Sequence, residues 1–277
     1  MPELPEVETI RKSLTAIHGA TITGVVFGPF TGFLAGMRPP DFQGSVNGCQ
    51  VESIGRRGKY LLLGLSSGDT IAVHLRMTGE LTIAEAGTVI PPHHHLTFTL
   101  NGGRELRYRD TRKFGRLWLL DSAGLAALDR SLGPEPLDTG LTHDRFAKML
   151  RHRRRAVKPL LLDQTFIAGI GNIYADEALF AAGIHPLRPA DSLDEGEAQA
   201  LLEAIQDVLS GAIARNGTTI RDYRNGFGEP GTNQDHLRIY RREADDPCPR
   251  CGGPVVRLVV AQRGTKVCPA CQPMEKT

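Results

Sequence analysis

The sequence predicts an α+β protein of several domains: an N-terminal helix with an antiparallel β-sandwich, then a helical domain, then a C-terminal hairpin. Two observations carry this prediction. Short segments rich in β-branched and aromatic residues, separated by Gly, Pro, Ser or Asn, continue to about Leu120. Helical periodicity replaces them after the linker LGPEPLD, and four of the five cysteines lie near the C-terminus.

The first helix is predicted from about Glu3 to Ile17. Pro5 favours a first helical turn, where a missing N–H costs no hydrogen bond, and Glu6 complements the helix dipole. Neither reason accounts for Pro2 and Glu3, which precede the helix. That leaves a chemical role open for these two residues.

Six segments that follow the helix have the composition of strands and are separated by turn residues. They predict a mostly antiparallel β domain with the architecture of a sandwich. They are TITGVVFG, YLLLGL, TIAVHL, LTFTL, ELRYRD and GRLWLL.

Beyond the linker, three helices are predicted. THDRFAKML begins with a Thr142 cap, and IYADEALFAAG ends on Gly183. The longest helix is predicted to begin at Ser192, with Glu195 completing a capping box, and to close at Asn216–Gly217. We place the domain boundaries at residues 1–131, 132–223 and 224–277.

Charge is segregated along the chain although the net charge is only +2. Residues 145–158 hold seven bases and no acid, and residues 250–266 hold four bases and no acid. Residues 188–207 hold one base and six acids. Such segregation is typical of a surface that binds a polyanion, although a single charged run is more often just a solvated face. No apolar run approaches the roughly 20 residues of a membrane span, so a cytoplasmic, nucleoid-associated protein with no membrane partner is expected.

The C-terminal cysteines have the spacing C-x2-C-x16-C-x2-C, which indicates a tetrahedral site for one structural zinc ion. Four thiolates leave no open coordination position, and no nucleotide or organic cofactor is expected. The segments between the cysteine pairs are predicted to form a hairpin with its turn at residues 262–264, which places Arg263 at the tip. Cys49 is predicted to be a small buried hydrophobe. The four ligands are Cys248, Cys251, Cys268 and Cys271.

The opening MPE is consistent with an N-terminal nucleophile and its acid. Removal of Met1 would expose the secondary amine of Pro2. An α-amino group has a pKa of about 7.7–8.0, against about 10.4 for lysine, so more of it is neutral and nucleophilic at pH 7. Its attack on a sugar C1′ gives an iminium that acidifies the C2′ proton, and Glu3 is placed to move protons on the opening sugar.

With these residues in view, the chain resembles the formamidopyrimidine-DNA glycosylase family. MPELPEVET matches the N-terminus of that family. GRRGKYLL, HLRMTG, DTRKFG, LGPEPL, GIGNIYADEALFAAGIHP and CPRCGGP…QRGTKVCPACQ follow in the family's order and cover nearly the whole chain. The resemblance implies a helix–two-turns–helix DNA-binding domain and a C-terminal zinc ribbon. It also implies a monomeric base-excision enzyme that acts on damaged double-stranded DNA.

The resemblance also implies roles for individual residues. Pro2 is the Schiff-base nucleophile and Glu3 the proton donor, Lys59 serves β-elimination, and Arg263 holds a phosphate and assists δ-elimination. Met77, Arg112 and Phe114 would fill the gap left by the extruded nucleotide, which offsets part of the stacking that is lost. The remaining DNA contacts implied are His74, His93, Arg153, Lys158 and Asn172.

Several positions depart from the family pattern, and most lie in the segments expected to contact the lesion. They leave the lesion ranking and the preferred opposite base open, while the chemistry is unaffected. These positions are Thr111, Lys113, Thr232, Asn233 and Arg241.

The sequence leaves three alternative functions open. An endonuclease VIII-type glycosylase would prefer oxidised pyrimidines, but Leu4 and the Met77, Arg112, Phe114 set favour the purine branch. A damage-binding protein without catalysis would follow if Met1 were retained. A zinc-ribbon transcription factor would leave the first 130 or so residues without a function.

Overall fold

The structure, a computed structural model, describes residues 1–274 and contains two compact units. The first comprises residues 1–131 and 215–234. The second comprises residues 132–214 and the described residues from 235 onward. None of the helices within residues 1–274 combines the length and apolarity that a membrane crossing requires.

The first unit begins with the predicted helix. Helix α1 spans Leu4–Leu14, and a 3-10 turn at Thr15–Ile17 continues it. Gly19 then turns the chain with a φ of +78°, a conformation that costs glycine little. One face of α1, including Ile10, is buried in the core of this unit.

Eight strands form two four-stranded antiparallel sheets, with orders β1-β6-β7-β5 and β2-β3-β4-β8. Side chains from both sheets and from α1 share one core, which confirms the predicted sandwich. Cys49 packs against this core but is only half-buried, because it lies in the connection after α2 and not in a strand. The strands are β1 Ile22–Phe27, β2 Val51–Arg57, β3 Tyr60–Leu65, β4 Thr70–His74, β5 Gly79–Glu85, β6 His94–Leu100, β7 Arg104–Asp110 and β8 Arg116–Leu120. Two short helices complete the unit, α2 Pro39–Val46 and α3 Ser122–Arg130.

The second unit contains the helices α4 His143–Leu150, α5 Val157–Leu161, α6 Asn172–Ala182 and α7 Glu195–Ala214. Thr142 caps α4 by accepting from the Arg145 N–H, and Gly183 ends α6 with a φ of +71°, both as predicted. The predicted start of α7 at Ser192 is wrong. Ser192 bonds back to Pro189 in a 3-10 turn, and Asp194 forms the capping box with Glu197 instead.

The C-terminal hairpin pairs β9 Val256–Val260 with β10 Arg263–Val267. Its turn differs from the prediction. The two turn residues are Ala261 and Gln262, both with positive φ, as in a type I′ turn whose twist suits the flanking strands. Arg263 is therefore the first residue of β10, paired with Val260, rather than the middle of the turn.

Candidate active site and nucleic-acid interface

Pro2 and Glu3 lie buried at the head of α1. Glu3 is the N-cap, and its backbone N–H donates to Glu6 Oε2 at 2.9 Å within a capping box. The helix therefore fixes the backbone that carries the nitrogen of Pro2. Glu3 thus has a helix-start role as the N-cap, a role that the sequence predicted only for Pro5 and Glu6.

Glu6 also anchors the segment 215–234 of the same unit. Its Oε1 accepts the Thr218 N–H at 2.7 Å, and its carbonyl accepts the Tyr223 hydroxyl at 3.3 Å. Burial of Tyr223, with the charge of Glu6 nearby, raises the pKa of that phenol, so it stays a donor. One buried glutamate thus connects the head of α1 to the segment 215–234.

Asn233, a departure from the family pattern, makes hydrogen bonds within the segment 215–234. Its Oδ1 accepts from Arg215 Nε at 2.9 Å, and its Nδ2 donates to Thr218 Oγ1 at 2.8 Å. Thr232 is exposed, and its N–H donates to the Arg215 carbonyl. The asparagine therefore stabilises the loop by polar bonds.

Lys59 is 6% exposed and follows Gly58 in the turn between β2 and β3. The ion pair between Arg56 and Glu8, 3.1 Å long, connects the end of β2 to α1. His74 is paired with Tyr60 across β3 and β4. Burial, then the charges of Arg76 and Lys59, lower the pKa of His74 to about 3, so this imidazole is neutral at pH 7.

Met77, Arg112 and Phe114 lie on exposed loops of the first unit. The Arg112 guanidinium lies 4.7 Å from the centroid of the Phe114 ring, a cation–π contact that orders both side chains. His93 is also exposed. All four side chains are accessible to a large ligand such as duplex DNA.

The second unit carries Arg153, Asn172 and Lys158. Arg153 is exposed, and Asn172 is half-buried at the first residue of α6, where Nδ2 donates to the Gly264 carbonyl at 3.1 Å. Lys158 is fully buried. Its Nζ lies 2.6 Å from Asp176 Oδ1 and 2.6 Å from Thr265 Oγ1, so it braces the hairpin beside Arg263.

The cysteine sulfurs fit a zinc ion. All four lie within 4.8 Å of one another, with Sγ–Sγ distances of 3.8 Å for Cys248–Cys271 and 3.5 Å for Cys251–Cys268. A tetrahedron with Zn–S bonds of about 2.3 Å has sulfur–sulfur edges of about 3.8 Å. Cys248, Cys251, Cys268 and Cys271 therefore form the site of one structural zinc ion.

Sequence models of three domains match the chain. The formamidopyrimidine-DNA glycosylase N-terminal domain matches residues 1–117, and the formamidopyrimidine-DNA glycosylase H2TH domain matches residues 132–224. The zinc finger found in FPG and IleRS matches residues 245–273. The chain belongs to the formamidopyrimidine-DNA glycosylase family.

Curated relatives and solved structures agree with this membership. The formamidopyrimidine-DNA glycosylase of Roseiflexus sp. is 51% identical over 98% of this chain and 100% of its own length. The protein of Chloroflexus aggregans is 49% identical over 98% of each chain. A Lactococcus lactis FPG mutant in complex with Fapy-dG containing DNA matches with a TM-score of 0.91 and 34% identity, over 98% of this chain and 100% of that one. The Lactococcus lactis Fpg in complex with abasic site containing DNA matches with a TM-score of 0.90 and 34% identity, over 98% of this chain and 99% of that one.

Two buried acids that were not predicted as functional residues accept hydrogen bonds from loop backbone groups. Asp110 is fully buried and accepts four hydrogen bonds. Glu177 accepts the consecutive N–H groups of Arg238, Ile239 and Tyr240 at 2.8–2.9 Å. Asp110 stands within the DTRKFG motif, but its role depends on tertiary contacts that the motif does not reveal.

Proposed function

We propose that this protein excises oxidised purines such as 8-oxoguanine and formamidopyrimidines from duplex DNA and then cleaves the abasic strand. Membership of the family supports a DNA glycosylase with lyase activity. The Lactococcus relatives bind Fapy-dG containing and abasic site containing DNA. The observation that carries the proposal is the Pro2–Glu3 pair, buried at the head of α1 and tied through Glu6 to Thr218.

The reaction begins with the neutral amine of Pro2 after Met1 has been removed. Its lone pair attacks C1′, and the N-glycosidic electrons leave with the base, which takes a proton. Glu3 donates a proton to the deoxyribose as the ring opens, and an iminium forms. Loss of the C2′ proton then expels the 3′ phosphate in β-elimination, and loss of the C4′ proton expels the 5′ phosphate in δ-elimination. Water then hydrolyses the iminium, which releases the sugar remnant and returns the free amine of Pro2.

Lys59 and Arg263 supply positive charge to these steps. Lys59 serves β-elimination and contacts a phosphate or the lesion, and neutral His74 beside it adds no competing charge. Arg263 holds a flanking phosphate and assists δ-elimination. Asn172 is placed at the N-terminus of α6, where backbone amides favour phosphate, and Arg153 is exposed for a phosphate contact. Lys158 acts by positioning the hairpin, because its ammonium group is enclosed.

Met77, Arg112 and Phe114 enter the gap that the extruded nucleotide leaves. Extruding a base costs a few kcal/mol of stacking and pairing, and inserted side chains restore part of it. Arg112 donates to the orphaned base opposite, which gives the enzyme its preference for the base opposite the lesion. His93 contacts the DNA backbone beside this gap.

We assign the catalytic role to residues 1–131, DNA binding to residues 132–223, and lesion recognition with the zinc ribbon to residues 224–277. A cytoplasmic, nucleoid-associated location follows from the DNA substrate, and the enzyme works as a monomer on one duplex. The four-cysteine site holds its zinc for structure, not for catalysis.

Borohydride trapping tests the proposal. Protein shown by intact mass to lack Met1 is incubated with a duplex containing 8-oxoguanine opposite cytosine, and the adduct is mapped by peptide mass spectrometry. We expect DNA attached at Pro2, and no adduct with an N-terminally acetylated sample. Glu3→Gln should slow base release by about 100-fold, in the range of general acid–base catalysis. Glu8→Gln, an acid on the same helix held by Arg11 and Arg56, is the matched control.

Other outcomes select the alternatives. Faster trapping on thymine glycol would assign the enzyme to the pyrimidine branch with the same nucleophile. No adduct on either substrate, from protein lacking Met1, would leave a damage-binding protein.

A further inference from the structure

Asp110, at the end of β7, is a fully buried carboxylate with an unusual set of partners. Its Oδ1 accepts from Thr78 Oγ1 at 2.6 Å and from the Arg112 N–H at 3.2 Å. Its Oδ2 accepts from the Gly115 N–H at 2.7 Å and from the Tyr108 hydroxyl at 3.2 Å. A buried charge is tolerated when hydrogen bonds surround it, and this one is surrounded by donors.

Three of these donors belong to the loops that carry Met77, Arg112 and Phe114. Thr78 directly follows Met77, and the donors of Arg112 and Gly115 bracket Phe114. Thr78 Oγ1 in addition accepts the Arg112 N–H at 3.1 Å. One carboxylate and one hydroxyl therefore join two loops that are distant in sequence.

The backbone of Asp110 reaches a third segment. Its N–H donates to the His93 carbonyl at 3.0 Å, and its own carbonyl accepts from His95 Nε2 at 2.9 Å. Lys113 N–H donates to the same carbonyl at 3.3 Å. Every exposed side chain that we assign to the first unit's contact with the DNA gap is thus within two residues of a bond to Asp110 or Thr78.

The backbone conformation of these loops also indicates that surrounding contacts hold them in place. Arg76, His93 and Lys113 are non-glycine residues in the left-handed region, with φ of 54°, 63° and 60°. Such conformations persist where surrounding contacts hold them, and each of these three lies beside the bonded segments. Without the central acceptor the loops would lose the bonds that offset this strain.

We propose that Asp110 is a positioning residue that holds Met77, Arg112 and Phe114 in one rigid arrangement and thereby sets both the extrusion of the lesion and the discrimination of the opposite base. The proposal rests on the proposed function, in which these three side chains fill the gap in the duplex. Asp110 itself touches neither the DNA nor the sugar. It acts through Thr78 and through the backbone of the DTRKFG loop.

Two variants test this role, because each removes one side-chain hydrogen bond to the same carboxylate; Thr78→Val also removes the acceptor of the Arg112 N–H. Thr78→Val breaks the bond to the residue that follows Met77, whereas Tyr108→Phe breaks the bond from a fully buried ring of β7 and leaves both bonds of the Thr78 hydroxyl in place. Single-turnover excision of 8-oxoguanine is measured opposite cytosine and opposite adenine, together with strand cleavage at a preformed abasic site.

We expect Thr78→Val to slow excision by about tenfold and to reduce the ratio of the excision rate opposite cytosine to the rate opposite adenine. Tyr108→Phe should change the excision rate and this ratio by less than about threefold. Cleavage at the abasic site, which needs no base extrusion, should change by less than about threefold in both. Asp110→Asn places an amide NH2 opposite N–H donors. If this variant folds, it should lower the excision rate and the cytosine-to-adenine rate ratio more than Thr78→Val does.

Equal effects of Thr78→Val and Tyr108→Phe, or an unchanged cytosine-to-adenine ratio in Thr78→Val, would overturn the positioning role. Failure of the proposed function is distinguishable, because the wild-type protein would then release no 8-oxoguanine and trap at no abasic site.

Discussion

At the scale of single residues, three buried polar groups of the first unit, Glu6, Asp110 and His74, hydrogen-bond to the loops around them. Glu6 joins Glu3 to Thr218, and Asp110 joins two loops. His74 belongs to the same class, since its Nδ1 accepts the Arg76 N–H at 3.1 Å. Burial of His74 makes its protonation state a matter of stability as well as of chemistry.

His74 predicts a measurable pH dependence. The folded protein holds its pKa near 3, whereas the unfolded chain has the ordinary value of 6.5. The unfolded chain therefore binds more protons below pH 6.5, and the stability that neutral His74 provides is present above pH 6.5 and is lost as pH falls towards 3. Between pH 7 and pH 5 this loss is about 2 kcal/mol of unfolding free energy.

His74→Asn, whose amide oxygen can replace Nδ1 as acceptor, should remove that part of the pH dependence. Urea unfolding at pH 7 and pH 5 measures it. His18→Asn, a change at an exposed histidine, is the control and should leave the wild-type difference intact. The same pH difference in wild type and His74→Asn would refute the assignment.

At the scale of elements, the buried Lys158–Asp176 pair connects α5, α6 and the β9–β10 hairpin of the second unit. Asn172, at the start of α6, reaches the same hairpin through the Gly264 carbonyl. Arg250 adds a contact at the other end of α6, where it donates to the Phe180 and Ala181 carbonyls. The zinc hairpin is thus fixed to α6 by polar bonds at both ends of that helix.

Lys158→Met should destabilise the protein by about 3–5 kcal/mol, because it leaves the Asp176 carboxylate buried without its cation. Adding Asp176→Leu should recover at least half of that loss, since a buried pair replaced by apolar groups is often nearly neutral. Urea unfolding of the two single variants and the double variant gives the coupling energy. Lys148→Met, at an exposed lysine of α4, is the control. Simple additivity of the two single changes would contradict a coupled pair.

The elements that could be predicted from the sequence are those with a local signal. The strand-like segments, the Thr142 cap, the Gly183 stop and the cysteine spacing each depend on a few adjacent residues. Strands β2 and β5 were not predicted, because their segments VESIGRR and GELTIAE are too polar to have strand composition. The resemblance implied a DNA contact at Lys158, and the burial of this lysine could not be predicted because Asp176 and Thr265, which enclose it, are distant in sequence.

The candidate site shows the same division. Pro2, Glu3 and the zinc ligands follow from short motifs with a chemical reason of their own. Glu6 stands in the same motif as Pro2 and Glu3, and Asp110 stands in DTRKFG, yet both residues bond segments that only the fold brings together. The observed turn begins at Ala261, one residue before the predicted turn, because hairpin register depends on strand pairing as well as on the glycine at 264.

At the scale of the whole molecule, the segregated basic stretches predict steep salt dependence of DNA binding. Each phosphate contact releases counterions, so log K falls with log salt by about 0.9 per contact on duplex DNA. Arg263 is exposed on the zinc-anchored hairpin, and its guanidinium can pair with a phosphate. Arg263→Ala should therefore lower the slope by about 1, with zinc still bound because the four cysteines are untouched.

Equilibrium binding to an abasic-analogue duplex at several salt concentrations measures this slope, and metal analysis measures the zinc content. Arg38→Ala is the matched control, because Arg38 is an exposed arginine paired with Asp41 and lies outside the assigned contacts. Weaker binding with an unchanged slope would mean that Arg263 acts without neutralising a phosphate. A reduced slope accompanied by zinc loss would trace the effect to the hairpin, so only a reduced slope at full zinc content assigns the phosphate contact to Arg263.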